Sequence, residues 1–276
     1  MDLQSILIAA AVVGGTGLVF GLILSIASFV FEVKKDERAE EILAELPGAN
    51  CGACGYAGCS AYADAILLEG APVNACSVGK AAVAEKISAI MGVEAGEVVE
   101  MVAHIACMGK CDVAGNKYEY SGKSDCKSAA QLSGGAKKCP NGCLGLGSCV
   151  DVCKFGALSV VDGVAVVDEE KCTACGMCVK ACPKGVIKLV PKDNYQRVGC
   201  INAEGGKAVN GYCKVGCIAC KLCEKNCPFE AIYIEKNHAV IDYSKCKNCG
   251  ICVKKCPRHI IISTKPQPVV KEENNE

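Results

Sequence analysis

The sequence predicts an α+β chain made of a single N-terminal transmembrane helix, a small α-rich domain carrying four cysteines, and two related modules that each carry a pair of cysteine runs. Three observations lead there. No charged residue occurs from Ile6 to Phe31. The chain holds 25 cysteines in 276 residues, most of them in C-x2-C steps. The pattern CIACKLCEKNCP, from Cys217 to Pro228, returns as CKNCGICVKKCP from Cys246 to Pro257. Lys plus Arg number 30 and so do Asp plus Glu, so no net field draws the chain to nucleic acid. Trp is absent and aromatics make up 5% of residues, which leaves metal ligation to supply much of the folding free energy.

The uncharged segment exceeds the roughly 20 apolar residues that cross a bilayer core. A secretory signal peptide would need a basic start and a shorter apolar run. This chain opens with Asp2 instead, and its first basic residues, Lys34, Lys35 and Arg38, follow the segment. The positive-inside rule therefore puts the bulk of the chain on the cytoplasmic side of the inner (plasma) membrane, held single-pass and in contact with lipid. Gly17, Gly21 and Ser25 share one helix face, either as a small-residue seam for a partner helix or because glycine is common in membrane helices.

Lys34 to Leu46 (KKDERAEEILAEL) reads as a charged helical connector broken by Pro47 and Gly48, after which NCGACGYAGCSAYADAI follows. The ligand set here is Cys51, Cys54 and Cys59, joined by Cys76 beyond an alanine-rich helix. Glycines at 52, 55 and 58 let backbone N–H groups approach the sulfurs. Structural zinc sites more often use two separated C-x2-C knuckles. The spacing thus favours a 4Fe-4S cluster.

Each C-terminal run matches C-x2-C-x2-C-x3-C-P, in which three cysteines hold one cubane and the fourth holds its neighbour. The expected sets are Cys217, Cys220 and Cys223 with Cys256, and Cys246, Cys249 and Cys252 with Cys227. Between them AIYIEKNHAVIDY alternates around Lys236–Asn237 as a hairpin does. An earlier copy runs from Cys143 to Pro183, with an Asp162–Gly163 turn signal. Its CTACGMCVKACP run is complete and gives Cys172, Cys175 and Cys178 with Cys153. The run before it is not: Leu146 stands where Cys220 does, and Lys154 replaces the proline. Cys143, Cys149 and Cys182 thus need a substitute ligand or hold a three-iron centre.

Cys126 and Cys139 are thirteen apart, as are Cys200 and Cys213, and Cys139 and Cys213 each stand four before the first cysteine of a module. This points to duplication of a larger unit. It makes Cys139 the expected fourth ligand beside Cys143, Cys149 and Cys182. Cys107, Cys111 and Cys126 then remain, and Cys200, or Cys213 in its place, would complete a sixth cubane. Of 25 cysteines one stays spare. The expected cofactors are five 4Fe-4S clusters and a sixth that depends on a ligand crossing between repeats.

Other chemistry finds no support. Cys213, Cys217 and Cys220 spell the C-x3-C-x2-C of radical S-adenosylmethionine enzymes, but two of them serve a complete run and the chain lacks strand–helix alternation. His104, His238 and His259 are scattered, and no catalytic residue is assigned. No G-x-G-x-x-G follows a strand. A disulfide scaffold belongs to short extracellular domains. The expected divisions are a transmembrane anchor (1–33), a four-cysteine 4Fe-4S domain (34–95), a cysteine-containing connector (96–138), two ferredoxin-like modules (139–190 and 191–265), and a polar, disordered tail (266–276).

The order of an N-terminal anchor, CGACGYAGCSAYADAI, CPNGCLGLGSCVDVC and the ferredoxin runs closely resembles the B component of the Rnf complex, the ion-translocating ferredoxin:NAD+ oxidoreductase. The resemblance covers nearly the whole chain. It implies an iron–sulfur subunit of a redox-driven translocase, without a complete active site of its own. Such a component accepts electrons from reduced ferredoxin and relays them among the other Rnf subunits toward NAD+. The residues leave open a polyferredoxin-like shuttle or anchor for another redox enzyme, such as a hydrogenase, and a non-redox zinc protein.

Overall fold

The computed structural model describes residues 3–30 and 36–265, with side chains before 28 described at Gln4 and over 12–27. Helix α1 (Leu3–Val30) runs for 28 residues without a charged side chain, about 42 Å at 1.5 Å per residue. Its described side chains face outward, Leu18 and Leu24 being 71% and 69% exposed. Among the described residues no helix is long and apolar enough to cross a membrane. Phe31, the basic pair Lys34 and Lys35, and the tail from 266 lie outside the described residues.

The α-rich domain follows as α2 (Glu37–Glu45), α3 (Cys59–Leu68) and α4 (Lys80–Met91). Asp36 caps α2 by accepting the Arg38 N–H at 3.0 Å, satisfying one of the free donors at a helix start. Ile42, Tyr62, Ile66 and Ile87 are buried together at the centre. The Tyr62 hydroxyl donates to the Pro72 carbonyl at 2.6 Å and accepts the Ala75 N–H at 3.1 Å, which fixes the loop that delivers Cys76.

The remainder is built twice. The first copy comprises β1 (Met101–Ile105), α5 (Cys126–Gln131), α6 (Ser148–Asp151), β2 (Leu158–Val161), β3 (Val164–Val167), α7 (Met177–Ala181) and β4 (Ile187–Pro191). The second comprises β5 (Gln196–Val198), α8 (Gly206–Asn210), α9 (Leu222–Lys225), β6 (Ile232–Glu235), β7 (His238–Ile241), α10 (Ile251–Lys255) and β8 (Ile261–Ser263). In each copy the opening strand pairs antiparallel with the closing one, β1 with β4 and β5 with β8, around a hairpin, β2–β3 or β6–β7. The hairpins turn at Asp162–Gly163 (φ 50° and 74°) and Lys236–Asn237 (φ 45° and 62°), the left-handed pairs that a two-residue turn between twisted strands requires. Because β1 pairs with β4, the first copy opens at 101, upstream of the expected boundary at 139.

Strand register gives the correspondence between copies. Ile105 faces Ile187 in one sheet and Val198 faces Ile261 in the other. Cys107 and Cys200 lie two residues beyond Ile105 and Val198, and the two form an antiparallel bridge with each other. The Cys143 N–H donates to Cys107 Sγ at 3.3 Å, and the Cys217 N–H donates to Cys200 Sγ at 3.4 Å. The duplicated partner of Cys200 is therefore Cys107, not Cys126. Each copy has its own core: Leu158, Val186 and Ile187 with Cys143, Cys149 and Cys178, and Ile232, Ile260 and Ile261 with Cys217, Cys223 and Cys256.

Candidate metal centres

In the α-rich domain Asn50 adopts a left-handed φ of 46°, and its side-chain oxygen accepts the Cys59 N–H at 2.8 Å, closing the loop that starts at Cys51. Gly52 and Gly55 also turn through positive φ, 68° and 94°. Cys54, Cys59 and Cys76 pack against the core around Tyr62. Burial raises the Cys76 thiol, N–H donors of Gly79 and Val78 oppose it, and the nearby thiols of Cys54 and Cys59 add to the rise.

The ferredoxin runs bring their cysteines together across each hairpin. Burial pushes the Cys178 thiol up to about 11, with Cys172, Cys175 and Cys153 adding to it. The Ala103 N–H donates to Cys172 Sγ at 3.4 Å and the Ala157 N–H to Cys153 Sγ at 3.3 Å. In the second copy Cys217, Cys220, Cys223 and Cys256 line one cavity, and Cys227, Cys246, Cys249 and Cys252 line another. The Ala231 N–H donates to Cys227 Sγ at 3.3 Å, repeating the contact at Cys153.

Two groupings differ from the sequence reading. Cys143, Cys149 and Cys182 share their cavity with Cys126, not with Cys139. Burial pushes the Cys149 thiol up to about 12, and Cys143, Cys126 and Cys182 add to it. The local cause is the start of α5. Asp125 accepts the N–H groups of Lys127 and Ser128 at 3.3 and 2.8 Å and the Ser148 hydroxyl at 2.8 Å. That hydroxyl accepts the Cys126 N–H at 2.8 Å, and Ser124 donates to the Leu146 carbonyl at 3.3 Å. Cys126 is thereby stitched against the loop where Leu146 leaves no thiol. The Ser128 hydroxyl, which also donates to Asp125 at 2.7 Å, and then these other donors hold the Asp125 carboxyl well below the usual carboxylate range.

Cys139 lines a different cavity, together with Cys107, Cys200 and Cys213. Burial raises its thiol, and Cys107 and Cys213 add to the rise. Of the expected sixth set of Cys107, Cys111, Cys126 and Cys200, only Cys107 and Cys200 meet, and Cys213, the alternative ligand, joins them. Cys111 is exposed, its N–H donating to the Asp162 carbonyl at 3.0 Å. Lys154, read only as a missing proline, donates to the Ala49 carbonyl at 3.4 Å and so links the residue after Cys153 to the loop before Cys51.

The four cavities lined by complete thiol sets are alike in size, about 420, 370, 330 and 310 Å³ including their open mouths. Among the described residues no group of three or more His, Cys, Asp or Glu is gathered tightly enough for a single metal ion. Tetrahedral zinc, with Zn–S near 2.3 Å, would need sulfurs about 3.8 Å apart. Four thiols line each of these cavities, and backbone N–H groups donate to the sulfurs of Cys107, Cys200 and Cys227, a donor set that fits a 4Fe-4S cubane.

Family models agree with this donor chemistry. The Fe-S cluster family matches residues 46–78, the 4Fe-4S binding domain 165–188, and the 4Fe-4S dicluster domain 216–261. The chain is 48% identical over 246 residues to the B-type subunit of the Na+-translocating ferredoxin:NAD+ oxidoreductase complex of Acetobacterium woodii, spanning 89% of this chain and 74% of the relative. It is 44% identical to the B-type subunit of an ion-translocating oxidoreductase complex of Methanosarcina acetivorans, over 88% and 93% of the two chains. It is 40% identical to the B-type subunit of the proton-translocating ferredoxin:NAD+ oxidoreductase complex of Clostridium ljungdahlii, over 83% and 82%.

Proposed function

Because the chain belongs to the family of B-type subunits of ion-translocating ferredoxin:NAD+ oxidoreductase (Rnf) complexes, we propose that it accepts electrons from reduced ferredoxin and relays them through six 4Fe-4S clusters toward NAD+ reduction by partner subunits. Each cluster, when bound, takes up and passes on one electron. The chain's own residues hold, space and insulate them.

The ligand sets of the proposal form a series. Cys51, Cys54, Cys59 and Cys76 come first, joined through the Lys154–Ala49 contact to Cys153, Cys172, Cys175 and Cys178. Cys126, Cys143, Cys149 and Cys182 follow, sharing helix α7 and the hairpin with that set. Next is the bridging set, Cys107, Cys139, Cys200 and Cys213, whose Cys107 and Cys200 accept the N–H groups of Cys143 and Cys217, one from each flanking set. Cys217, Cys220, Cys223 and Cys256, then Cys227, Cys246, Cys249 and Cys252, complete it. This continuity across the two copies is the observation that carries the reading.

The uncharged 28 residues of α1 support a single-pass anchor in the plasma membrane, with the cluster-bearing body on the cytoplasmic side where ferredoxin is met. One helix has no room for an ion pathway, so ion movement belongs to the other subunits. Membranes from a strain lacking this chain are expected to lose ferredoxin-dependent NAD+ reduction and to regain it when the gene is restored. Unchanged activity in the deletion strain would overturn the reading in favour of a shuttle serving another redox enzyme.

A further inference from the structure

Among the described residues two charged side chains are buried, Lys137 at 5% exposure and Arg197 at 0%, and both are cations. Lys137 lines the bridging cavity together with Cys107, Cys139, Cys200 and Cys213. Its ammonium donates to the carbonyls of Gly109 at 2.6 Å and Gly163 at 2.8 Å. None of the ion pairs among the described residues includes it. A desolvated cation held only by neutral carbonyls is costly unless an anion stands nearby. A cubane with four thiolate ligands is such an anion, more so after reduction.

The ligands of the bridging cavity are matched between copies, Cys107 with Cys200 and Cys139 with Cys213, but the charge is not. Counting back two residues from Cys139 gives Lys137, whereas counting back two from Cys213 gives Gly211. Lys137 is the one cation among the described residues lining the cavity, and Arg258 of the second copy meets its wall from outside through the Cys213 and Gly216 carbonyls. Net charge and hydrogen bonding around the sulfurs are the levers by which a protein sets cluster potential.

We propose that Lys137 is a potential-setting residue: its buried ammonium makes the cluster held by Cys107, Cys139, Cys200 and Cys213 easier to reduce, so that electrons collect at the junction of the two copies. The inference rests on the six-cluster reading above. The experiment is a redox titration of the full-length, anaerobically purified chain by paramagnetic resonance, with iron and sulfide counted on the same samples.

In Lys137→Met, with the wild-type count of about 24 irons, one component is expected to move to lower potential by at least about tenfold in its reduction equilibrium, about 59 mV for a one-electron couple. The component of the neighbouring cluster, whose Cys143 thiol burial raises and the Lys137 ammonium lowers, is expected to move by less, and the other four stay. Lys137→Arg, which keeps the charge, is expected to hold that component within about threefold of wild type. Full iron with no component moving in Lys137→Met overturns the proposal, as does an equal shift in both variants. If Lys137→Met loses iron, Lys137→Arg decides, and a tenfold fall there overturns it. A wild-type chain that holds only about 20 irons instead overturns the six-cluster reading, and the proposal with it.

Discussion

The double variant Cys126→Ala/Cys143→Ala is expected to keep five intact cubanes, whereas Cys139→Ala/Cys143→Ala is expected to keep four. The first pair removes two ligands from one cavity, where Cys126 and Cys143 both sit. The second removes one ligand from each of two cavities, because Cys139 lies with Cys107, Cys200 and Cys213. The thirteen-residue spacing in the sequence forecasts the reverse, since it groups Cys139 with Cys143. Intact cubanes counted by Mössbauer spectroscopy on iron-57-enriched chain separate the two outcomes, even where a ligand loss leaves a three-iron remnant. Exposed Cys111 provides the control: Cys111→Ala is expected to keep about 24 irons, and a loss of about four would place it among the ligands.

A milder cut tests the same assignment from the capping side. Asp125→Ala removes the acceptor that ties the start of α5 to Ser148, and so frees Cys126 from the loop at Leu146. The chain is expected to lose the cubane of Cys126, Cys143, Cys149 and Cys182 while the other five stay intact. Six intact cubanes in Asp125→Ala would show that Cys126 reaches its place without the cap.

The contrast between these sites shows what kind of information the sequence holds. The complete ferredoxin runs are legible because their spacing follows from local geometry: a loop of C-x2-C steps leads into one short helix, α7, α9 or α10, and the fourth cysteine ends or follows it. The hairpins at Asp162–Gly163 and Lys236–Asn237 are legible for the same reason, since left-handed turn residues sit between alternating strands. The bridging cavity is not local. Its cysteines meet because Ile105 pairs with Ile187 and Val198 with Ile261, and only that register reveals Cys107 as the counterpart of Cys200. The equal spacing from Cys126 to Cys139 and from Cys200 to Cys213 hides this. Cys126 is drawn away by Asp125 and Ser148 to fill the place that Leu146 leaves, so equal intervals do not mark equal roles.

Stripping the iron under anaerobic conditions is expected to unfold both copies, not merely to empty them. Each of the four sheets among the described residues has two strands, and an isolated two-stranded hairpin is marginally stable at best in water. The cores offer little in compensation, because cysteines make up a large part of them. Cys143, Cys149 and Cys178 are among the buried residues of the first, and Cys200, Cys217, Cys223 and Cys256 among those of the second. A thiol core without its metal loses the bonds that fix each loop, and metal binding energy is then missing from folding itself. Amide exchange at β2, β3, β6 and β7 is expected to quicken by at least about a hundredfold, about 2.7 kcal/mol of local stability. Helices α2 to α4 retain the contacts of Ile42, Tyr62, Ile66 and Ile87, so their protection should fall less. Hairpins that stay protected with less than about one iron left per chain would mean that hydrophobic packing suffices, and that the clusters are passengers in a fold able to stand alone.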